Sequence, residues 1–189
     1  FKKGNLTDSA LYAQIDSYFK GEIEGLKKSE ESKLAGYIAD KKLEPKKTAS
    51  GLQYVIAEEG KGNKVVVGDT AVVNYTGRLV NGSIFDTNNA ETAKKENKFS
   101  PMRPYEPLRF RVGHDPVIQG WTEGFQLLNK GSKATLLVPS SLGYGERGGG
   151  TIPPYAPLVF EIELVDVIPG PKTEAPATAP AADSVAKKK

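Results

Sequence analysis

From Leu158 to Val167 the chain alternates, with Phe160, Ile162 and Leu164 on one side and Glu161 and Glu163 on the other. Successive side chains of a strand point to opposite faces, so this period of two demands a β-strand with one face on a core and one in water. A single strand cannot bury that face; it needs a sheet and something to cover it. Leu52–Ile56, Ala71–Leu79, Leu108–Val112 and Ala134–Val138 read as further strands, and Asn81-Gly82 is a tight hairpin signal. One helix is expected among them, from about Ile118 to Leu128, with Gly131 just past its end where a left-handed cap is easiest. The implied fold class is α+β: an antiparallel β-sheet (a half-barrel) wrapped around one short helix.

The ends of the chain read differently. From residue 8 to about 43, Leu11, Ile15, Tyr18, Phe19, Ile23 and Leu26 recur at helical spacing. Asp8 or Ser9 can cap that helix; Leu34, Tyr37, Ile38 and Leu43 suggest a second, shorter one, ended by Pro45. Residues 170–189 are rich in Pro, Ala and Thr and end in three lysines, a composition that cannot bury a core. The expected division is a helical arm over 1–47, a β-rich domain over 48–169 and a disordered tail over 170–189. The apolar stripe of the arm is too large to leave in water. It is expected to pack on its own domain, on a second copy to give a homodimer through the arm, or on another protein.

Composition removes several function classes. With 26 basic and 23 acidic residues and no basic stripe interleaved with aromatics, nothing points to nucleic acid. The absence of cysteine excludes disulfides, thiolate nucleophiles and Cys-ligated zinc. His114 is the only histidine, set in a Gly-His-Asp-Pro turn, so a solvated loop residue is the better reading and no metal site is expected. No apolar run reaches the roughly 20 residues that span a bilayer. Gly143 to Gly148 spells GxGxxG, but Gly-Gly-Thr-Ile-Pro-Pro follows and cannot open a helix, so a phosphate-binding loop fails on context. No cofactor is expected. The first residue is Phe1 rather than methionine, which reads either as a trimmed start or as loss of a processed segment.

Several separate motifs occur in order through the β-rich part. Val73-Asn74-Tyr75-Thr76-Gly77 is followed by Gly82 and Phe85-Asp86, then by Val117-Ile118-Gln119-Gly120-Trp121 and Gly124. Val138-Pro139, Tyr144-Gly145, Ile152-Pro153-Pro154 and Leu158-Val159-Phe160 complete the series. Over about 120 residues the chain resembles the FKBP family of peptidyl-prolyl cis/trans isomerases.

That resemblance implies an apolar pocket for a prolyl ring. Trp121 would be its floor and Tyr75, Phe85, Val117, Ile118, Ile152 and Phe160 its walls, with Leu108 and Phe110 of the neighbouring strand also bordering the substrate. Asp86 and Tyr144 would supply polar contacts at the rim, and the backbone N–H of Ile118 would hold a peptide carbonyl. Leu108 stands where the family usually carries an aromatic wall. Gly148 and Thr151 replace residues that are often bulkier, and Asn88 to Pro107 is roughly ten residues longer than in compact members. The resemblance further implies proline-containing polypeptide clients, macrolide ligands of the tacrolimus or rapamycin type, and a role in assisting protein folding. An arm before the isomerase domain is similar to secreted bacterial members, which implies the periplasm or cell envelope, with the cytoplasm as the alternative.

The chemistry suits such residues. Prolyl isomerisation breaks no bond; the imide must lose double-bond character and twist against a barrier of about 18–20 kcal/mol. A dry aromatic pocket and a few aimed donors serve that task, and no nucleophile is needed. Taken singly, each residue has a plainer reading: Trp121 as core, Asp86 as a turn acceptor or helix cap, Tyr144 as a loop residue. The alternative function is a non-catalytic peptide-binding chaperone or scaffold on the same fold. Every implied pocket residue lies after Gly51, so the arm is expected to stand apart from the chemistry.

Overall fold

The computed structural model describes residues 8–171, with the side chains of residues 8–15 and of Phe19 outside the described set. Helix α1 (Asp8–Asp40) leads into seven strands: β1 (Lys46–Lys47), β2 (Gln53–Glu58), β3 (Thr70–Leu79), β4 (Ile84–Thr87), β5 (Leu108–Arg111), β6 (Lys133–Val138) and β7 (Leu158–Ile168). Helix α2 (Ala90–Lys95) lies between β4 and β5, and α3 (Gln119–Phe125) between β5 and β6. All pairings are antiparallel, in the order β1-β2-β6-β7-β3-β4, with β5 also on β3. The fold is the expected α+β arrangement, an open antiparallel sheet around one short helix with a helix before it.

The alternation in β7 sorts the residues as its period demands. Leu158, Phe160, Ile162 and Leu164 are buried inward while Glu161 and Glu163 stay in water. Ala134, Leu136 and Val138 of β6 and Ala71, Val73 and Tyr75 of β3 join them in one core, which α3 closes with Trp121 and Phe125. Two glycines let α3 sit that close. A Cβ at Gly120 would stand 2.6 Å from Val138 Cγ1, and one at Gly124 would stand 2.5 Å from Leu136 Cδ1.

Helix α3 ends at Phe125 rather than running regularly to Leu128. Leu127 and Leu128 then donate three residues back, to Gly124 and Phe125, in tighter turns that still bring Leu128 into the core. The apolar spacing therefore continued past the regular helix. Gly131 does have a left-handed φ of +91°, but it belongs to the turn into β6, where its N–H donates to Leu164 O.

The arm is one continuous helix, not two. Lys27 to Lys33 holds only lysine, serine and glutamate, with no breaker to divide the two apolar stretches. It stops in a Schellman turn: Leu43 N–H donates to Ile38 O, and Lys42 takes the left-handed position at φ 52°. Leu34, Tyr37, Ile38 and Leu43 pack on Leu137, Val159 and Val80, on the outer face of the sheet. Of the earlier stripe, Tyr18 and Leu26 are exposed and Ile23 is half-buried, while Leu11, Ile15 and Phe19 fall outside the described side chains. Lys46–Lys47 pairs with β2, and Gly170 N–H donates to Asp69 Oδ1; the tail from residue 172 on lies outside the described residues. Among the described residues no helix is long and apolar enough to cross a membrane.

Candidate active site

A cavity of about 570 Å3 opens between α3, the end of β6 and the β3–β4 hairpin. Its walls bring together eight of the residues singled out in the sequence: Tyr75, Phe85, Asp86, Val117, Ile118, Trp121, Tyr144 and Phe160. Pro116, Gln119, Ser141 and Gly143 complete the lining. The rings meet edge to face. Trp121 lies 5.1 Å from Tyr75 and 5.2 Å from Phe160, and Phe85 lies 5.5 Å from Phe160. Such T-shaped pairs set the positive edge of one ring on the negative face of the next and fix both. Gly77 makes room, since a Cβ there would stand 2.5 Å from Phe85 Cζ.

Three residues of the set stand elsewhere. Phe110 is buried beneath Trp121, at 5.4 Å, and supports the floor rather than lining the cavity. Ile152 is buried in the same core. Leu108, 36% exposed, borders a separate hollow with Arg103, Pro104 and Pro107. Two residues before Phe110 it shares that residue's face of β5, but it stands at the first position of the strand, where it stays exposed.

The polar rim has a member that the sequence did not reveal. Tyr75 Oη donates to Asp86 Oδ2 at 2.5 Å, and Arg103 Nη1 donates to Asp86 Oδ1 at 2.5 Å. Arg103 Nη2 also reaches Tyr75 Oη at 3.4 Å. Nothing near Asp86 in sequence offers a cation; Arg103 arrives from the long segment 88–107. Burial, and then the hydrogen bond to Asp86, push the Tyr75 phenol well above its ordinary range, with Arg103 pulling it down. Tyr75 is therefore a donor throughout neutral pH. Asp86 in turn holds the Arg103 guanidinium more firmly protonated.

The segment that delivers Arg103 is built, not loose. Asn89 caps α2 by accepting from Thr92 N–H. Phe99 stacks on Tyr105 at 5.1 Å, Tyr105 Oη accepts from Ser100 N–H, and Lys98 Nζ donates to Ile84 O. Where β4 and β5 leave β3 without a strand partner, Asn88 takes the place of one. Its Oδ1 accepts from Tyr75 N–H at 2.8 Å, and its Nδ2 donates to Val73 O and Glu106 O. With Asn88 N–H donating to Tyr75 O as well, both backbone groups of Tyr75 are held by Asn88.

Two further donors are available. Ile118 N–H, at the start of α3, meets no acceptor among the described residues, and the half-exposed Tyr144 hydroxyl has none either. Among the described residues the buried Trp121 Nε1 meets no hydrogen-bond partner. His114 is exposed in its turn, and among the described residues no group of three His, Cys, Asp or Glu could hold a metal. Gly143 to Gly148 forms loop, closed by a bridge from Gly149 to Ile152.

A model of the FKBP-type peptidyl-prolyl cis-trans isomerase family matches residues 61–165, more than half of the chain. The chain belongs to that family. It is 44% identical over 144 residues to the FKBP-type peptidyl-prolyl cis-trans isomerase FkpA of Escherichia coli K12, a match covering 75% of this chain and 48% of that one. It is 42% identical over 111 residues to an FK506-binding protein of Neisseria meningitidis, covering 58% of this chain and 90% of that one. The crystal structure of FkpA from Escherichia coli superimposes with a TM-score of 0.61 at 34% identity, over 89% of this chain and 76% of that one. The chain spans about half the length of the curated FkpA relatives it matches. This FKBP carries, beside its sheet and α3, the docked α1 and the built 88–107 segment.

Proposed function

We propose that this FKBP accelerates cis/trans rotation of X-Pro bonds in polypeptide clients, and so assists folding steps that wait on proline. The observation that carries this reading is the aromatic cavity itself. Trp121, Tyr75, Phe85 and Phe160 enclose a slot suited to a prolyl ring, with Asp86 held at its rim by Tyr75 and Arg103.

In this reading the chain does its work by binding. The planar imide is charge-separated by resonance, and the twisted one is less so; an apolar slot disfavours the planar form relative to the twisted one. Ile118 N–H holds the carbonyl of the bound peptide and Tyr144 Oη donates to a second carbonyl, so rotation occurs about an anchored chain. Asp86 fixes the Tyr75 hydroxyl and, through it, one wall. Val117, Ile152 and Phe110 shape and back the slot. No proton moves and no bond is made.

Macrolides of the tacrolimus or rapamycin type fit the same slot and compete with peptide. The domain over 48–169 carries the activity, and the arm assigned to 1–47 docks on it through Leu34, Tyr37, Ile38 and Leu43, with the exposed Leu26 offered to a second copy. The periplasm or cell envelope is the proposed location, supported by the likeness to bacterial FkpA over the arm as well as the domain. The test is protease-coupled turnover of a short proline peptide by the intact chain. Acceleration that a macrolide abolishes supports the reading; peptide binding without acceleration favours a chaperone on the same fold.

A further inference from the structure

Helix α1 does more than cover the back of the sheet. Glu30, buried on its inner side, reaches Ser140, which is buried at the end of β6. Its Oε1 accepts from Ser140 N–H at 2.5 Å and its Oε2 accepts from Ser140 Oγ at 2.6 Å. A buried backbone N–H must find an acceptor, and for Ser140 that acceptor is a carboxylate from 110 residues away in sequence.

Ser140 is also the anchor of the loop that follows. Its carbonyl accepts from Gly143 N–H at 3.0 Å and from Gly145 N–H at 2.8 Å, the two residues flanking Tyr144. Ser141, Gly143 and Tyr144 line the prolyl cavity. One turn along α1, Leu34 packs on Leu137, so the helix grips the same stretch of chain at two points. The path from arm to cavity is short and made of hydrogen bonds: Glu30 to Ser140, Ser140 to the backbone on both sides of Tyr144.

We infer that Glu30 is a positioning residue for the prolyl cavity, through which the arm sets the place of the wall formed by Ser141, Gly143 and Tyr144. The inference rests on the isomerase reading above. The wall touches peptide in the ground state and in the twisted state alike. Loosening it therefore weakens binding of both and raises KM, while kcat is kept.

The experiment is steady-state turnover of a short proline peptide by the full chain and by Glu30→Ala, Glu30→Gln, Tyr144→Ala and the Glu30→Ala/Tyr144→Ala pair. For Glu30→Ala the expected result is a rise in KM of about three- to ten-fold with kcat nearly unchanged, the range one lost positioning hydrogen bond gives. Glu30→Gln, whose amide oxygen still accepts from Ser140, recovers most of it. In the Tyr144→Ala background Glu30→Ala adds much less than it does alone, because the largest side chain of the wall it places is already gone. Wild-type KM in a folded Glu30→Ala, or additive losses in the pair, would overturn the inference. If Glu30→Ala fails to fold, Glu30→Gln against Ser140→Ala decides: each removes part of the contact and should raise KM by less, and wild-type KM in both overturns it. A wild-type chain without turnover sinks the isomerase reading itself, a different outcome from an active wild type that ignores Glu30.

Discussion

Arg103 meets Asp86, a residue of the cavity lining, at 2.5 Å, and it arrives from a segment that contributes no residue to that lining. Both side chains are more than a third exposed, at 41% and 36%, so solvent screens the pair and its share of stability is small. Its effect is on shape, since it holds the carboxylate that holds Tyr75. Arg103→Ala is expected to change the unfolding free energy by less than about 1 kcal/mol. Asp86→Val is expected to lower kcat/KM roughly ten-fold, about 1.4 kcal/mol of transition-state stabilisation. Denaturant unfolding and peptide turnover, measured on both variants, check this; full activity in Asp86→Val makes the acid purely structural.

Phe160 is buried at the meeting point of Trp121 and Phe85. Phe160→Ala opens a cavity and should cost about 3–5 kcal/mol. Phe85→Leu keeps most of the volume and should spare stability while lowering turnover. Chemical denaturation for the first and kinetics on a folded sample for the second give the comparison. Unchanged turnover in Phe85→Leu would remove that ring from the site.

The Tyr75 phenol is raised by burial and by its hydrogen bond to Asp86. A raised pKa favours the neutral form in the folded state. The stability this contributes is full below the ordinary phenol value of about 10 and is lost as pH climbs above it. Of the eight tyrosines, Tyr37 and Tyr155 are also raised. In an alkaline titration of tyrosinate absorbance Tyr75 should ionise in the late fraction. Tyr75→Phe should remove the last part of that step; an unaltered late step would place the raised group elsewhere.

Leu34 is the buried centre of the contact between α1 and the outer face of the sheet. Leu34→Ala should cost about 2–5 kcal/mol of docking and packing free energy. Amide exchange should then speed up in α1 around residues 30–43 while the core strands stay protected. Equal acceleration in β3 and β7 would mean that arm and sheet unfold as one unit.

The sheet was legible because its signal is local. Phe160, Ile162 and Leu164 against Glu161 and Glu163 state both the strand and its face, and the ordered motifs around Tyr75, Trp121 and Tyr144 state the cavity. What escaped was long in reach or short in length. Strand β4 and helix α2 span four and six residues, too short for a period to emerge. Arg103 has no spacing rule that ties it to Asp86, because the path between them folds through α2 and the Phe99–Tyr105 stack. Glu30 is an ordinary member of a charged run until Ser140 is placed beside it. One sign of the docked arm was present: Leu136-Leu137-Val138 and Leu158-Val159-Phe160 break the alternation with an outward apolar residue each. An outward-facing Leu137 and Val159 require a cover, and Leu34 of α1 provides it.

The cavity floored by Trp121 is proposed to turn over X-Pro bonds. The most direct test is kcat/KM for a short proline peptide, measured on the intact chain with and without a macrolide of the tacrolimus type. Clear acceleration over uncatalysed rotation, which takes tens to hundreds of seconds, is expected, abolished when the macrolide fills the cavity. A folded chain that binds the macrolide and leaves the isomerisation rate at its uncatalysed value would contradict it.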